Sequence, residues 1–484
     1  MLRILLLLPI FGAIAVALLP GSNLRFIRLV ALIVAASTLA FAWELVSLFD
    51  TSLPGVQLFE THVWNPRVGS AFSLGVDGFS LPMVLLATLL TLIAVLASSS
   101  IVKRAKGYYI LILLLESAML GVFMARDWSL FYVFWELTLI PLFFLIDRWG
   151  GQNRNKAALN FVLYTMGGSV FMLLAILLLY DANPNHSFDM TAMALGAHGL
   201  SQEAQVLIFL GLLIGFGVKM PVFPLHGWLP LAHVEAPSPV SILLSGILLK
   251  MGSYGLIRAV EALPLAAVAL QGWLAALALF SLIYGGILAW RQRDLKAMVA
   301  YSSISHMGVV LLGIASLNQA GLTGAVMQMV AHGLVAGALF LLIGLLYERT
   351  HTRDIADYSS LVRVMPRFAF FTVLALVAAV GFPGTAGFIA ELHAMIGGFA
   401  RFGAWVVLLS IGVLISAAYA FRTVGRLFTG PIREDMRLIP DLSRAEFAAA
   451  SVLSAGILLL GVFPAPALAL MAASVNRLSR IVGS

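Results

Sequence analysis

The feature that most constrains this chain is a succession of apolar runs, each long enough as a helix to cross roughly 30 Å of hydrocarbon. They begin near residues 1, 24, 77, 108, 128, 157, 205, 238, 266, 296, 319, 367, 402 and 447, about fourteen in all. Lipid offers the backbone no hydrogen-bond partners, so such runs must be helices that satisfy their own amides. The expected fold is an all-α integral membrane protein with about 14 transmembrane helices, one membrane domain over residues 1–484. Composition agrees, with 61% hydrophobic and 11% charged residues, against roughly 25% charged in a soluble domain. The opening "MLRILLLLPIFGAIAVALLP" has the look of a signal peptide. It lacks a small-residue cleavage pattern and soon meets another span, so it is read as a retained first helix.

The 29 basic residues set the orientation. With alternate loops assigned to opposite sides, 20 fall on one side and 7 on the other, while Lys219 and Lys250 lie within spans. The positive-inside rule then puts both termini outside, periplasmic if this is a bacterial cell membrane. The net charge of +7 is accounted for by those loops, and nucleic acid is not an expected partner. The chain has no cysteine, which excludes disulfides, thiolate metal sites and iron–sulfur clusters. No cofactor is expected in this chain, and any redox centre must belong to another protein. The outer loops near 50–76 and 181–204 read as lids, and 430–446, "GPIREDMRLIPDLSRAE", as a solvated inner loop.

Ionisable side chains within a membrane are costly unless they pair or face water, which makes them candidates for function. Helical rise places Glu116 and Glu136 about 12 Å into their spans, His306 about 15 Å, and Lys250 and His332 about 18 Å. With Lys219 and Glu391 they recur span after span. One such residue could be a packing ion pair, but the set reads as a relay. Burial in a low-dielectric medium pushes carboxylates and ammonium groups alike towards neutrality, and a nearby opposite charge restores the charged form. Histidine, titrating near neutral pH, connects such groups. A lysine with an approachable glutamate is therefore a switch, and the series suits proton transfer. The histidines sit on different spans without a compact carboxylate cluster, so no metal site is expected.

Two spans are interrupted. Pro221 and Pro224 follow Lys219 within "GFGVKMPVFPLHGWLPLAHVEAP", and Gly381, Pro383, Gly384 and Gly387 precede Glu391. Broken spans at corresponding stations of two halves mark the inverted repeats of transporters. Five spans over 108–262 would match five over 266–427 in opposite orientation. His226 and His233, just beyond the first break, are assigned to the inner mouth of a path.

The motifs "GVDGFSLPMVLL", "FYVFWELTLIPLFFLIDRWGG", "VKMPVFPLHGWLPLAHVEAPSPVSILLSGILLKMGSYGLIR", "RQRDLKAMVAYSSISHMG" and "GFPGTAGFIAE" resemble the antiporter-like proton-channel subunits of respiratory complex I. The resemblance spans nearly the whole chain and is strongest to the branch called chain M in bacteria and chain 4 in mitochondria. It implies fourteen spans, two inverted five-helix repeats and a proton path along a central polar axis. It implies that Glu136 pairs with Lys219, that Lys250 connects the halves, that His306 and His332 relay, and that Glu391 ends the line, with Glu116 as an accompanying acid. It further implies neighbours in the membrane arm, chains L and N among them, with lipid and protons as the other partners.

An acid at Glu391 favours chain M, because chains L and N and the sodium/proton antiporter subunits carry lysine at that station. The family commonly reads W-L-P-D-A-H where this chain has Leu231, so no aspartate role transfers there. Two alternatives stand: a subunit of a multisubunit sodium/proton antiporter, and one of a hydrogenase- or ferredoxin-linked membrane complex.

Overall fold

The computed structural model describes residues 1–483. Helices α1 (Leu2–Leu18) and α2 (Leu24–Leu48) lead into an antiparallel hairpin of β1 (Gln57–Asn65) and β2 (Ser70–Val76). The stretch expected as a loop-like lid is thus a small sheet. It is followed by α3 (Leu81–Ala97), α4 (Ala105–Met124), α5 (Trp128–Leu137), α6 (Leu139–Trp149) and α7 (Arg154–Ala182). Next come α8 (Met190–Ala197) in the second outer loop, α9 (Gln202–Lys219), α10 (Leu229–Glu235), α11 (Ser238–Leu243) and α12 (Leu249–Ala262). The second half runs through α13 (Pro264–Arg291), α14 (Leu295–Ala315), α15 (Gln319–Thr350), α16 (Leu361–Val364), α17 (Pro366–Ala379), α18 (Ala386–Phe402) and α19 (Leu408–Phe428). The chain closes with α20 (Arg444–Val462) and α21 (Ala465–Gly483).

Among the described residues, twelve helical stretches are long and apolar enough to cross a membrane, where the sequence leads one to expect about fourteen. The difference lies in α1, apolar but shorter, and in Ala386–Phe428, a 43-residue apolar stretch counted once although its first part, α18, completes the broken span that the short α17 begins. That stretch bends at Gly403, which has φ +64°. Helix α21 is not among the expected spans, because its buried Met471, Ser474, Val475 and Leu478 give a helical stripe rather than a continuous apolar run.

Local chemistry explains where the helices begin. Asp127, Asp189, Ser201, Asp294 and Asn318 each accept backbone amides of the first turn as N-caps, and Ser443 with Glu446 forms a capping box ahead of α20. Proline stands in the first turn of α3, α10, α11, α13 and α17, where its missing N–H costs nothing. The centre of the bundle is the continuous segment Ser238–Ala262 with α14 and α15. The apolar core of the first is wholly buried, and the other two are nearly so. Helices come close there through small residues: a Cβ on Gly252 would lie 2.5 Å from the Phe216 carbonyl oxygen.

Candidate functional site

Three departures from regular helix build the site. The first is the break after α9. The helix stops at Lys219, and the chain makes irregular turns past Pro221 and Pro224 before α10. Lys219 is buried, its Nζ donates to Thr138 Oγ1 at 3.1 Å, and it lies 4.9 Å from the centre of the Trp135 ring. Thr138 is the joint between α5 and α6. The expected contact with Glu136 is therefore open: the two are within electrostatic reach, but among the described residues no ion pair joins them. Lys219 turns instead to a hydroxyl two residues further on, which supplies an acceptor without closing the pair. Glu136 is only partly buried, one carboxylate oxygen has no partner, and it lines a lateral groove of about 640 Å³ with Tyr132, Val133, Phe143 and Phe144.

The second departure is one turn of π-helix at Leu244–Leu248, between α11 and α12. Widening the turn frees a carbonyl from the helical ladder. Ser245 carbonyl is then available to Lys250, whose Nζ donates to it at 2.6 Å and lies 2.6 Å from His332 Nδ1. From there the polar groups continue. The His332 and His306 rings are 5.3 Å apart between centroids, and His306 Nδ1 is 3.4 Å from Gln328 Nε2 and 3.8 Å from Glu391 Oε1. All are buried. Lys250, His332, His306 and Glu391 thus form one contiguous row across α12, α15, α14 and α18.

The third departure is the break between α17 and α18, where Gly381 and Gly384 have φ of +74° and +91°, a conformation L-residues disfavour. Gly381 packs directly against the Glu391 carboxylate.

Other expected residues lie off this row. Glu116 is fully buried on α4, and neither carboxylate oxygen has a partner. His226 and His233 do not share a helical face, because α10 starts only at Leu229. His226 sits in the turn against Phe223 and Tyr284. His233 is fully buried, stacks on Phe340 with centroids 4.6 Å apart, and lies within electrostatic reach of both Lys250 and Lys296. No hydrogen bond or ion pair connects Lys219 to Lys250 among the described residues.

Lys296, one of the 20 basic residues expected on the inner loops, is instead buried: it is 3% exposed and its Nζ donates to the Ala236 carbonyl at 2.7 Å. It lines a polar cavity of about 550 Å³ with Asn153, Glu235, Glu348 and Arg353. Glu235 accepts from the Asn153 amide at 2.9 Å, and Arg353 pairs with Asp294 at 3.0 Å and donates to the Val234 carbonyl at 2.6 Å. The signal was present in "RQRDLK": an N-cap aspartate at 294 puts Lys296 inside a helix, not in a loop. Among the described residues no three His, Asp or Glu side chains are grouped to hold a metal ion.

Residues 125–416 match the family described as NADH:quinone oxidoreductase/Mrp antiporter, TM. The chain is 42% identical over 472 residues to NAD(P)H-quinone oxidoreductase chain 4 1 of Synechococcus elongatus, covering 95% of this chain and 88% of that one. It is 39% identical over 495 residues to NADH-quinone oxidoreductase subunit M of Rhodobacter capsulatus, covering 99% and 96%. Among solved structures it is similar to a chain of respiratory complex I from Thermus thermophilus with bound NADH, with TM-score 0.91, 32% identity and full coverage of both chains. The chain therefore belongs to the NADH:quinone oxidoreductase/Mrp antiporter family of transmembrane subunits, among relatives named chain 4 and subunit M.

Proposed function

We propose that this chain is a proton-translocating membrane-arm subunit of an NADH-quinone oxidoreductase, a translocase subunit that takes no cofactor of its own. It would sit in a bacterial cell membrane with both termini outside, among the other membrane-arm subunits and next to chains of the L and N type. The observation that carries the reading is the buried row Lys250, His332, His306 and Glu391, joined by a 2.6 Å contact from lysine to imidazole, imidazole rings 5.3 Å apart between centroids and a 3.8 Å approach from imidazole to carboxylate. A relay needs groups that both gain and lose a proton, and this row alternates amine, imidazole and carboxylate without a permanent counter-ion for the lysine.

In the cycle we infer, quinone reduction elsewhere in the complex changes the field at Glu136 and Lys219. With the pair apart, as here, Lys219 is held by Thr138. With the pair closed, the two charges neutralise each other and Lys250 is released from part of the field. At 4 Å in a medium of effective dielectric about 20, closure is worth about 4 kcal/mol. Moving one charge against 100 mV costs about 2.3 kcal/mol, so one pair rearrangement suffices for one proton. The polar cavity at Lys296, within electrostatic reach of His233, serves as the inner uptake site, and Glu391, at the far end of the row in the second half, delivers the proton. The five-helix units 108–262 and 266–427 act as the two inverted halves, each with a broken span. The open groove at Glu136 supports a neighbouring subunit on that flank, since a partly exposed carboxylate among apolar side chains calls for a partner.

The test is the complex carrying Lys219→Ala or Glu136→Ala, reconstituted into proteoliposomes. Both variants should assemble, with quinone turnover and pumping strongly reduced. A normal proton-to-electron ratio in both would refute the reading.

A further inference from the structure

We propose that a cavity at the outer end of the bundle, between Arg126, Arg258 and Trp128, is a binding site for a phosphate-class oxyanion. The cavity holds about 90 Å³ and is lined by Arg126, Trp128, His198, Arg258, Glu261 and Arg477 among others. A water takes roughly 10–15 Å³ on this measure, so the space fits several waters or one tetrahedral anion.

The donor and acceptor accounting around it is one-sided. Asp77 Oδ1 accepts the Phe79 and Ser80 amides, and Oδ2 accepts Arg258 Nη2 at 2.5 Å while facing Arg126 Nη1 at 3.5 Å. Glu261 Oε2 accepts Arg258 Nη1 at 2.9 Å, and Oε1 accepts Arg477 Nη2. Both carboxylates are thus committed. Trp128 Nε1, Arg258 Nε and Arg477 Nε remain without a hydrogen-bond partner, and Arg126 Nη1 has only its long 3.5 Å ion pair with Asp77. Every one is a donor, and Trp128, Arg126 and Arg258 are only 1%, 4% and 2% exposed. Three guanidinium groups face two carboxylates, which leaves one positive charge over. Buried donors without acceptors are costly, and a ligand rich in lone pairs with one or two negative charges answers both deficits. A cation would meet three guanidinium groups and a Glu261 carboxylate already committed to two of them. The mouth carries exposed His198 and Leu195, so the oxyanion can arrive as free phosphate or as the phosphodiester of a lipid headgroup.

The experiment uses the intact purified complex, washed free of phosphate and placed in nanodiscs of a phosphate-free galactolipid. Binding is measured with radiolabelled inorganic phosphate by equilibrium dialysis, and with added phosphatidylglycerol by native mass spectrometry. One equivalent should bind, at least tenfold more weakly in Trp128→Phe, which keeps the ring and loses the donor, and in Arg477→Gln. Phosphate binding that phosphatidylglycerol does not displace supports the free ion; retention of phosphatidylglycerol supports the headgroup. Failure of both probes to bind, or binding unchanged in both variants, overturns the proposal. If a variant fails to assemble, a map of the wild-type complex decides: oxyanion density at the three side chains supports the site, and water alone overturns it.

Discussion

Gly381 and Gly384 permit a controlled test of the row that ends at Glu391. Both occupy positive φ, so alanine at either position carries a comparable backbone penalty of about 1–3 kcal/mol. They differ in what a Cβ would meet. At Gly384 nothing lies within 4 Å, whereas at Gly381 a Cβ would stand 3.0 Å from Glu391 Cδ and closer still to Oε2. The carboxylate is the end of a flexible side chain, so it moves before the backbone does, by roughly 1 Å to restore ordinary van der Waals separation. It already stands 3.8 Å from His306 Nδ1, and a displacement of that size changes the transfer geometry. Rates of such steps respond steeply to misplacement on the ångström scale, so Gly381→Ala should lower proton pumping about tenfold or more. Gly384→Ala should share the loss of thermal stability and keep most of the pumping. The assay compares the two in proteoliposomes energised through the complex, with assembly checked on native gels. Equal pumping in the two variants would refute the placement of Glu391 in the row.

Further outcomes follow from other sites. Burial opposes ionisation of Asp77, but Arg258 and Arg126 outweigh it and hold the carboxyl at about 2 against an ordinary 3.8. A depressed carboxylate stabilises the fold above the unfolded value and loses that contribution as pH falls. About 2 kcal/mol should therefore disappear between pH 4 and 2, seen as an acid limb in thermal unfolding that Asp77→Asn lacks. Asp77→Asn should also destabilise at neutral pH by about 3–5 kcal/mol, since it removes the buried counter-ion of Arg126 and one of the two that Arg258 has. Lys296→Met should leave assembly intact and slow pumping several-fold, with Lys296→Arg recovering part of it; unchanged rates in the methionine variant would remove Lys296 from the uptake site. Glu116→Gln keeps shape while relieving an unpartnered carboxyl, so it should raise the melting temperature by a few degrees, and a fall instead would mean that the carboxyl has a partner in the assembled complex.

The sequence disclosed the row well because charge is rare in these spans: Lys250, His306, His332 and Glu391 stood out against apolar neighbours and proved to lie side by side. The two breaks were equally legible, since proline and glycine disrupt a helix wherever they fall. What sequence could not disclose is orientation within a helix and irregularity without proline. The π-turn that frees the Ser245 carbonyl lies in "LLSGILLK", which reads as unbroken helix. Lys219 meets Thr138 and not Glu136, a choice between two acceptors two residues apart that only packing decides. Lys296 was hidden by company, being the last of several charges in a stretch otherwise exposed. The hairpin at 57–76 was obscured by register irregularities at Gln57/Glu60 and Val63/Asn65, which blur the alternation that marks a strand.

The lateral groove at Glu136 bears on the life of the chain before it reaches its complex. A copy inserted alone would turn that carboxylate towards acyl chains, and placing an acid at such a depth costs about 2.5–3.5 kcal/mol on insertion scales. An orphan copy is thus the less comfortable species. It carries on its flank the kind of polar defect by which membrane quality control can distinguish unassembled subunits from assembled ones. Its half-life in a pulse-chase should lengthen when the neighbour on that flank is co-expressed, and Glu136→Leu should abolish the difference. If Glu136 is the switch proposed above, one side chain both sets the transport cycle and reports that the subunit has found its place.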